Sequence, residues 1–438
     1  MLLSELPLAR PLFKAIDKLG FTEPTPVQAR AIPAALAGKD LVVSAKTGSG
    51  KTAAFLLPML DRFLATAAPR TGTRGLILLP TRELALQTQQ FVKSLAAFTP
   101  IKSGLIIGGE AFKHQVATIR KNPEILIATP GRLVEHIERG TPDFADLEVL
   151  VLDEADRMLD MGFAIEMETI ARACNEQRQT LLFSATLRQR GMANITRLLR
   201  EPESIAVDSH RQAHSELSQQ VVLADDNKHK EKLVAALIAE EQARRVFVFC
   251  NTRAQCQQLG NVLKYLKLRA AFIHGEISQS ERKQVMNRFR NGQLEILVAT
   301  DVAARGLDVE GVDLVINFDV AQSGDDHVHR VGRTGRAGQP GKAITLVSAD
   351  QWNTMSSIER YLKIHPQRRK VEGLVANYKG PKKLKSSGKA AGSKKKAAGS
   401  KKKAAGNKKK ASAKKRPSAK RGKPATIGDG FDVIRKKK

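Results

Sequence analysis

Between residues 40 and 187 short apolar runs recur along the chain, at 41–45, 75–79, 103–107, 125–129, 149–153 and 180–184. Each is too short for a helix and too uniformly apolar for a strand with one wet face. The pattern predicts strands buried on both sides. The intervening stretches carry helical periodicity instead. Residues 82–98, for example, set Leu84, Phe91, Val92 and Leu95 on one face. Strand and helix alternating in this way predict a parallel sheet with helices on both faces. Ligands of such sheets gather at the carboxyl ends of the strands. Lys51, Pro80-Thr81-Arg82, Thr129, Asp153 and Ser184 all fall there.

A polar stretch follows at 207–218, and then a second alternation begins. Its strand runs are 246–249, 270–274, 296–300, 314–317 and 343–347, with helical patterns at 253–266 and 279–291 between them. The fold class is therefore α/β, with two tandem parallel-sheet domains at 1–208 and 219–365 joined by a linker at 209–218. Beyond 365 the periodicity stops. Residues 391–411 read Ala-Gly-Ser-Lys-Lys-Lys-Ala twice and then Ala-Gly-Asn-Lys-Lys-Lys-Ala. That seven-residue period repeats no large apolar side chain, so it is no coiled coil. Residues 366–438 are expected to form a disordered basic tail.

Charge sharpens this division. The net formal charge is +29, of which residues 381–438 carry +21, leaving a mildly basic body. The three cysteines, Cys174, Cys250 and Cys256, are an odd number with no CxxC pair. That count disfavours a disulfide framework and a zinc site. The N-terminus lacks a basic segment followed by a long apolar one, and no stretch approaches a membrane span. The expected location is the cytoplasm, without membrane partners.

Two motifs carry chemistry. Ala45-Lys46-Thr47-Gly48-Ser49-Gly50-Lys51-Thr52 follows an apolar strand and opens a helix. Backbone N–H groups of such a loop wrap phosphates, its Lys reaches the β- and γ-phosphates, and its Thr hydroxyl ligates Mg²⁺. Ala45 stands where the usual pattern has Gly, but the strand–loop–helix context supports the assignment. Asp153-Glu154-Ala155-Asp156 closes an apolar run about a hundred positions later. Taken alone, that tetrad reads as an acidic helix start. Behind a phosphate loop it supplies what the loop lacks: Asp153 as a second hold on Mg²⁺ and Glu154 to orient water. Together they predict hydrolysis of a nucleoside triphosphate with bound Mg²⁺, and the resemblance below implies that the nucleotide is ATP. One phosphate loop serves two domains, which places the nucleotide in the cleft between them.

With these motifs in order, residues 1–365 resemble the DEAD-box family of ATP-dependent RNA helicases. Gly20-Phe21-Thr22-Glu23-Pro24-Thr25-Pro26-Val27-Gln28 looks like the family's adenine-reading segment, which implies nucleotide contacts from Phe21, Thr25 and Gln28. Pro80-Thr81-Arg82-Glu83-Leu84, Gly108-Gly109 and Thr129-Pro130-Gly131-Arg132 resemble its RNA-contacting elements. Ser184-Ala185-Thr186 resembles the element that couples hydrolysis to strand separation, giving Ser184 and Thr186 that role. In the second domain the matches are Gln279-Ser280-Glu281-Arg282, Ala299-Thr300-Asp301, Arg305-Gly306-Leu307-Asp308 and the stretch from His329 to Arg336. The resemblance makes Asp308 a ribose ligand and Arg333 and Arg336 arginine fingers on the γ-phosphate. The pattern departs at Leu3, His327 and Val320-Ala321, where the family more often has an aromatic, a Tyr and a Pro-containing pair.

The resemblance implies two RecA-like domains that close on ATP and RNA, separating short duplexes or remodelling RNA–protein complexes. An ATP-gated RNA clamp or scaffold for ribonucleoprotein assembly, with little unwinding, is the second class. Thr81, Arg82, Gly109, Thr129, Gly131, Arg132 and Thr300 offer hydroxyls, amides and guanidinium groups, suited to phosphate and sugar rather than base edges. Contacts to the 2′-hydroxyl would favour RNA over DNA. Lysines separated by small residues suit a tail that tethers RNA by counterion release or one that only solubilises. The particular RNA is not written in these motifs.

Overall fold

The computed structural model describes residues 3–45, 48–67, 72–187, 191–207, 217–304, 307, 312–335, 341–381, 388 and 390. Among them, fourteen strands form two seven-stranded sheets in which every pairing is parallel. The first comprises β1 (Leu41–Ser44), β2 (Gly75–Leu78), β3 (Ser103–Ile106), β4 (Ile125–Ala128), β5 (Val149–Leu152), β6 (Gln179–Ser184) and β7 (Glu203–Ala206), in the order β3-β4-β2-β5-β6-β1-β7. The second comprises β8 (Leu217–Leu223), β9 (Val246–Cys250), β10 (Ala270–Ile273), β11 (Ile296–Thr300), β12 (Leu314–Asn317), β13 (Gly341–Val347) and β14 (Gln367–Arg369), in the order β10-β11-β9-β12-β13-β8-β14.

All eleven apolar runs become strands, and the reason is visible in the core. Successive residues of one strand enter opposite layers. Val43, Ile77, Ile127, Val151 and Phe183 pack into one apolar cluster, while Val42, Leu76, Leu126, Leu150 and Leu182 pack into another. Each such side chain contributes about 1.5–3 kcal/mol by burial. The second sheet is sandwiched in the same way, with Val248 and Ile316 in one layer and Phe247 and Val315 in the other.

Three strands carry no apolar run, and two of them move the expected boundaries. β7 and β14 are edge strands, and β8 lies between β13 and β14 with its first half largely wet. β8 starts at Leu217, inside the segment expected to be linker. β14 lies past 365, where a tail was expected. Gln367-Arg368-Arg369 reads as polar because an edge strand faces solvent, and Arg369 pairs there with Glu240 and Glu241. Residues beyond it also pack on this sheet. The Asp225 carboxylate accepts from the backbone N–H groups of Asn377 (3.0 Å) and Tyr378 (2.7 Å). Trp352 stacks edge-on to Tyr378 and donates through Nε1 to the carbonyl of Gly388 at 3.2 Å.

The three cysteines are buried thiols. Burial pushes Cys174 and Cys256 up to about 12 and Cys250 well above its ordinary value, so none is a reactive thiolate. Among the described residues no helix is long and apolar enough to cross a membrane.

Candidate active site and nucleic-acid interface

Strand order divides the carboxyl edge of the first sheet into two halves. Gly108-Gly109 follows β3, Thr129 follows β4 and Thr81 follows β2. Asp153 follows β5, Ser184 ends β6, and the phosphate loop follows β1. The candidate RNA residues thus share one half of the rim and the candidate nucleotide residues the other. The two halves meet where β2 pairs with β5. At that seam the N–H of Asp153 donates to the carbonyl of Leu78 at 3.1 Å.

The phosphate loop is shaped by its glycines and held from outside. Gly48 and Gly50 have φ of 81° and 87°, in the left-handed region that only Gly enters freely. Gly50 then caps the helix Lys51–Ala65. Gln28 Nε2 donates to the carbonyl of Gly50 at 3.0 Å, and Thr25 Oγ1 donates to that of Ser49 at 2.8 Å. A Cβ on Gly50 would sit 2.5 Å from Gln28 Nε2. Thr25 and Gln28 also form a reciprocal capping box that starts the helix Pro26–Leu36. Phe21 lies beside this segment, tilted against Phe91 with ring centroids 6.2 Å apart. Lys51 is buried, and its Nζ donates to the carbonyl of Ala45 at 2.7 Å. Thr52 is half-buried in the first helical turn. Lys46 and Thr47 lie outside the described residues.

The acidic tetrad is buried rather than solvated. Asp153, Glu154 and Asp156 are all nearly inaccessible, and Glu154 adopts a left-handed backbone (φ 54°) to start the helix Ala155–Asp160. Burial raises Asp153 to about 7, with the Lys51 ammonium pulling the other way. A carboxyl so desolvated carries its charge readily only beside a cation, which fits a metal-binding role. Lys51 therefore lies close enough to act on Asp153, although loop and tetrad are far apart in sequence. Burial also raises Asp156, against the opposing charges of Arg157 and Lys51. Asp156 was quoted in the tetrad without a role of its own. Its Oδ2 accepts from the N–H of Thr186 at 3.2 Å, while Ser184 Oγ donates to the carbonyl of Thr186 at 2.6 Å. This links β5 to the turn after β6.

On the other half of the rim Thr81 caps the helix Arg82–Leu95 and accepts from the N–H of Leu84 at 3.3 Å. Gly109 has φ of 79°, and a Cβ there would lie 1.9 Å from Arg82 Nη1. Gly108-Gly109 therefore lets the Arg82 guanidinium come close to the backbone after β3. Arg132 Nη1 donates to the carbonyl of Glu110 at 3.1 Å, tying the loops after β3 and β4 together. Thr129 is buried at the start of the helix Pro130–Glu138, with Gly131 in its first turn.

In the second domain Thr300 is buried at the carboxyl end of β11. Arg333 is also buried, and its Nη1 donates to the carbonyl of Leu307 at 2.8 Å. Asp308 and Arg336 lie outside the described residues. Arg330, which sequence reasoning passed over, is the hub here: it bonds Asp301 through Nε at 2.7 Å and Nη2 at 2.6 Å, and the carbonyl of Asp319 through Nη1 at 2.6 Å. Across the domains, Arg282 Nε lies 3.0 Å from Glu83 Oε1. Both residues belong to motifs quoted above, but no sequence pattern pairs positions so far apart.

Two protein-family models match this arrangement: DEAD/DEAH box helicase over residues 25–195 and helicase conserved C-terminal domain over 228–338. The chain is 40% identical to the ATP-dependent RNA helicase SrmB of Haemophilus influenzae over 86% of each protein. The chain belongs to the DEAD/DEAH box helicase family. It is also 45% identical to the probable ATP-dependent RNA helicase ddx27 of Dictyostelium discoideum, across 81% of this chain but 46% of that longer protein. Among solved structures of this family, S. cerevisiae Dbp5 bound to RNA and ADP BeF3 superposes with a TM-score of 0.76 at 29% identity, covering 84% of this chain and 95% of that one. Mss116p bound to ssRNA and AMP-PNP gives 0.75 at 30% identity, covering 85% and 80%. DEAD-box membership accounts for the tandem sheets.

Proposed function

We infer that this chain is an RNA-dependent ATPase that uses closure of its two domains to separate short RNA duplexes or remodel RNA–protein complexes. The observation that carries this reading is the shared rim. The Lys51 loop and the Asp153-Glu154 pair converge on one half of a sheet edge whose other half presents Thr81, Arg82, Gly109, Thr129, Gly131 and Arg132. Lys51 exchanges the Ala45 carbonyl for the β- and γ-phosphate oxygens, while the loop N–H groups from Gly48 onward wrap the phosphates. Phe21, Thr25 and Gln28 take the adenine side, and Asp308 the ribose. Thr52 and Asp153 hold Mg²⁺, which when bound neutralises charge on the phosphoryl oxygens. Glu154 orients the attacking water, and Arg333 and Arg336 meet the γ-phosphate when the domains close. Ser184 and Thr186, bonded to each other and to Asp156, carry the change toward the RNA half. Thr300 adds an RNA contact from the second domain. The setting is cytoplasmic, which three unpaired buried thiols fit.

ATP turnover measured without nucleic acid, with RNA and with DNA of the same sequence tests this, read beside duplex separation. RNA is expected to stimulate turnover, DNA far less, and short RNA duplexes to separate. Turnover indifferent to RNA would refute the reading. ATP-dependent RNA retention without separation would assign the clamp instead. In the same assays a chain ending at residue 391 is expected to keep RNA-stimulated turnover, with a shallower salt dependence of RNA binding.

Gly109→Ala tests the RNA half separately. The left-handed backbone costs a non-Gly residue about 1–2 kcal/mol, and the new Cβ displaces the Arg82 guanidinium. Losing one charged hydrogen bond to a phosphate lowers RNA affinity roughly tenfold. Filter binding should show that loss, with nucleotide affinity unchanged.

A further inference from the structure

Arg157 has no part in the roles above, yet it touches both domains. Its side chain is 2% exposed, on the helix that Glu154 starts, and its Nη1 lies 3.0 Å from Glu154 Oε2. Arg157 Nη2 is buried and finds no acceptor among the described residues. A guanidinium is among the most costly groups to bury with a donor unmet. The same side chain lines a small pocket whose other walls come from the second domain, Asp301, Asp326, His329, Arg330 and Arg333 among them. Among the described residues, Arg157 is the one lining residue from the first domain. Arg330 opposite it is already committed to Asp301 and to the Asp319 carbonyl. Arg157 therefore stands between the carboxylate of Glu154 and the turn that carries Arg333.

We propose that Arg157 is a positioning residue for ATP hydrolysis: it fixes the Glu154 carboxylate and does so against the second domain, so that apposition of the domains and orientation of the water-holding oxygen are one event. This rests on Glu154 being the residue that orients water. The guanidinium charge, 3.0 Å from Glu154 Oε2 as an ion pair rather than a hydrogen bond, draws that oxygen toward it and turns the other away. Misplacing a reacting group by about 1 Å costs turnover about a hundredfold. A purely structural ion pair would behave differently. Removing Arg157 would then leave a buried charge without its partner and lower stability, whatever the state of Glu154.

The test is a double-mutant cycle on the full chain with saturating RNA, comparing wild type, Arg157→Gln, Arg157→Lys, Glu154→Gln and the Glu154→Gln/Arg157→Gln pair. Arg157→Gln is expected to lower kcat roughly ten- to a hundredfold, with the KM for ATP unchanged and partial recovery in Arg157→Lys. In the Glu154→Gln background the same substitution should change the residual rate by less than about twofold. Equal factors in the two backgrounds would overturn the proposal, as would an unchanged kcat. Should Arg157→Gln fail to fold, Arg157→Lys carries the same comparison with the charge retained. Undiminished turnover in Glu154→Gln alone would instead overturn the role given to Glu154, a result distinguishable from failure of the cycle.

Discussion

Glu154→Gln is expected to lower RNA-stimulated ATP turnover by about two to four orders of magnitude, with binding of an ATP analogue and of RNA retained. The substitution keeps the shape of a buried side chain and removes its charge. Glu154 already holds a left-handed backbone at the start of the helix Ala155–Asp160, and Gln enters that conformation with the same difficulty. Nucleotide binding is expected to survive because the proposed phosphate-holding groups are Lys51 and the loop amides. The fold survives because Arg157 loses one partner but keeps the nearby charge of Asp156, which already feels it. Single-turnover hydrolysis beside equilibrium binding separates the two effects. Turnover within tenfold of wild type would move the water-orienting role elsewhere.

Arg333→Ala is expected to cost more, about 10³–10⁵-fold in turnover. The side chain is buried, reaches the interdomain pocket and anchors to the carbonyl of Leu307. Leaving the Leu307 carbonyl without its donor costs about 1–3 kcal/mol of stability, less than the roughly 5–15 kcal/mol that holds a domain together. Lys is a poor replacement, because a point charge on a flexible stem does not reproduce the planar fork. RNA binding without nucleotide should be unaffected, since the candidate RNA residues other than Thr300 sit on the other sheet. A turnover loss below tenfold would show that Arg333 serves only to hold the loop at Leu307.

Most of the eleven strands were legible because both faces are buried, so the hydrophobic run needs no context; the edge strand β3, half-buried on one face, was legible because Leu105-Ile106-Ile107 still reads apolar. β7, β8 and β14 were not, because a strand at or near a wet edge needs no apolar run and looks like loop. The placement of Lys51, Asp153 and Glu154 at the carboxyl edge of the first sheet was legible because each closely follows an apolar strand run. Their supports were not. Gly50 reads as a flexible turn until Gln28 is seen against it, and Gly109 until Arg82 is. Asp156 looks like one more acid until Thr186 arrives at its carboxylate. Arg157 is an ordinary helical Arg on paper. Its meaning depends on which residues stand opposite, and only tertiary packing supplies them.

The neighbouring of β2 and β5 has a practical consequence for anyone wishing to redirect this enzyme. Adjacent strands lie about 4.8 Å apart, so on the proposed assignment fuel chemistry and polymer grip would abut along a single seam. On that assignment, the loops after β3, β4 and β2 would be the ones to replace from a donor with other nucleic-acid tastes, while those after β1, β5 and β6 stay untouched. What a graft must preserve is small: the pairing of Leu78 with Leu152 and the amide of Asp153 on the Leu78 carbonyl. If that joint is kept, the motor and its grip are separable parts.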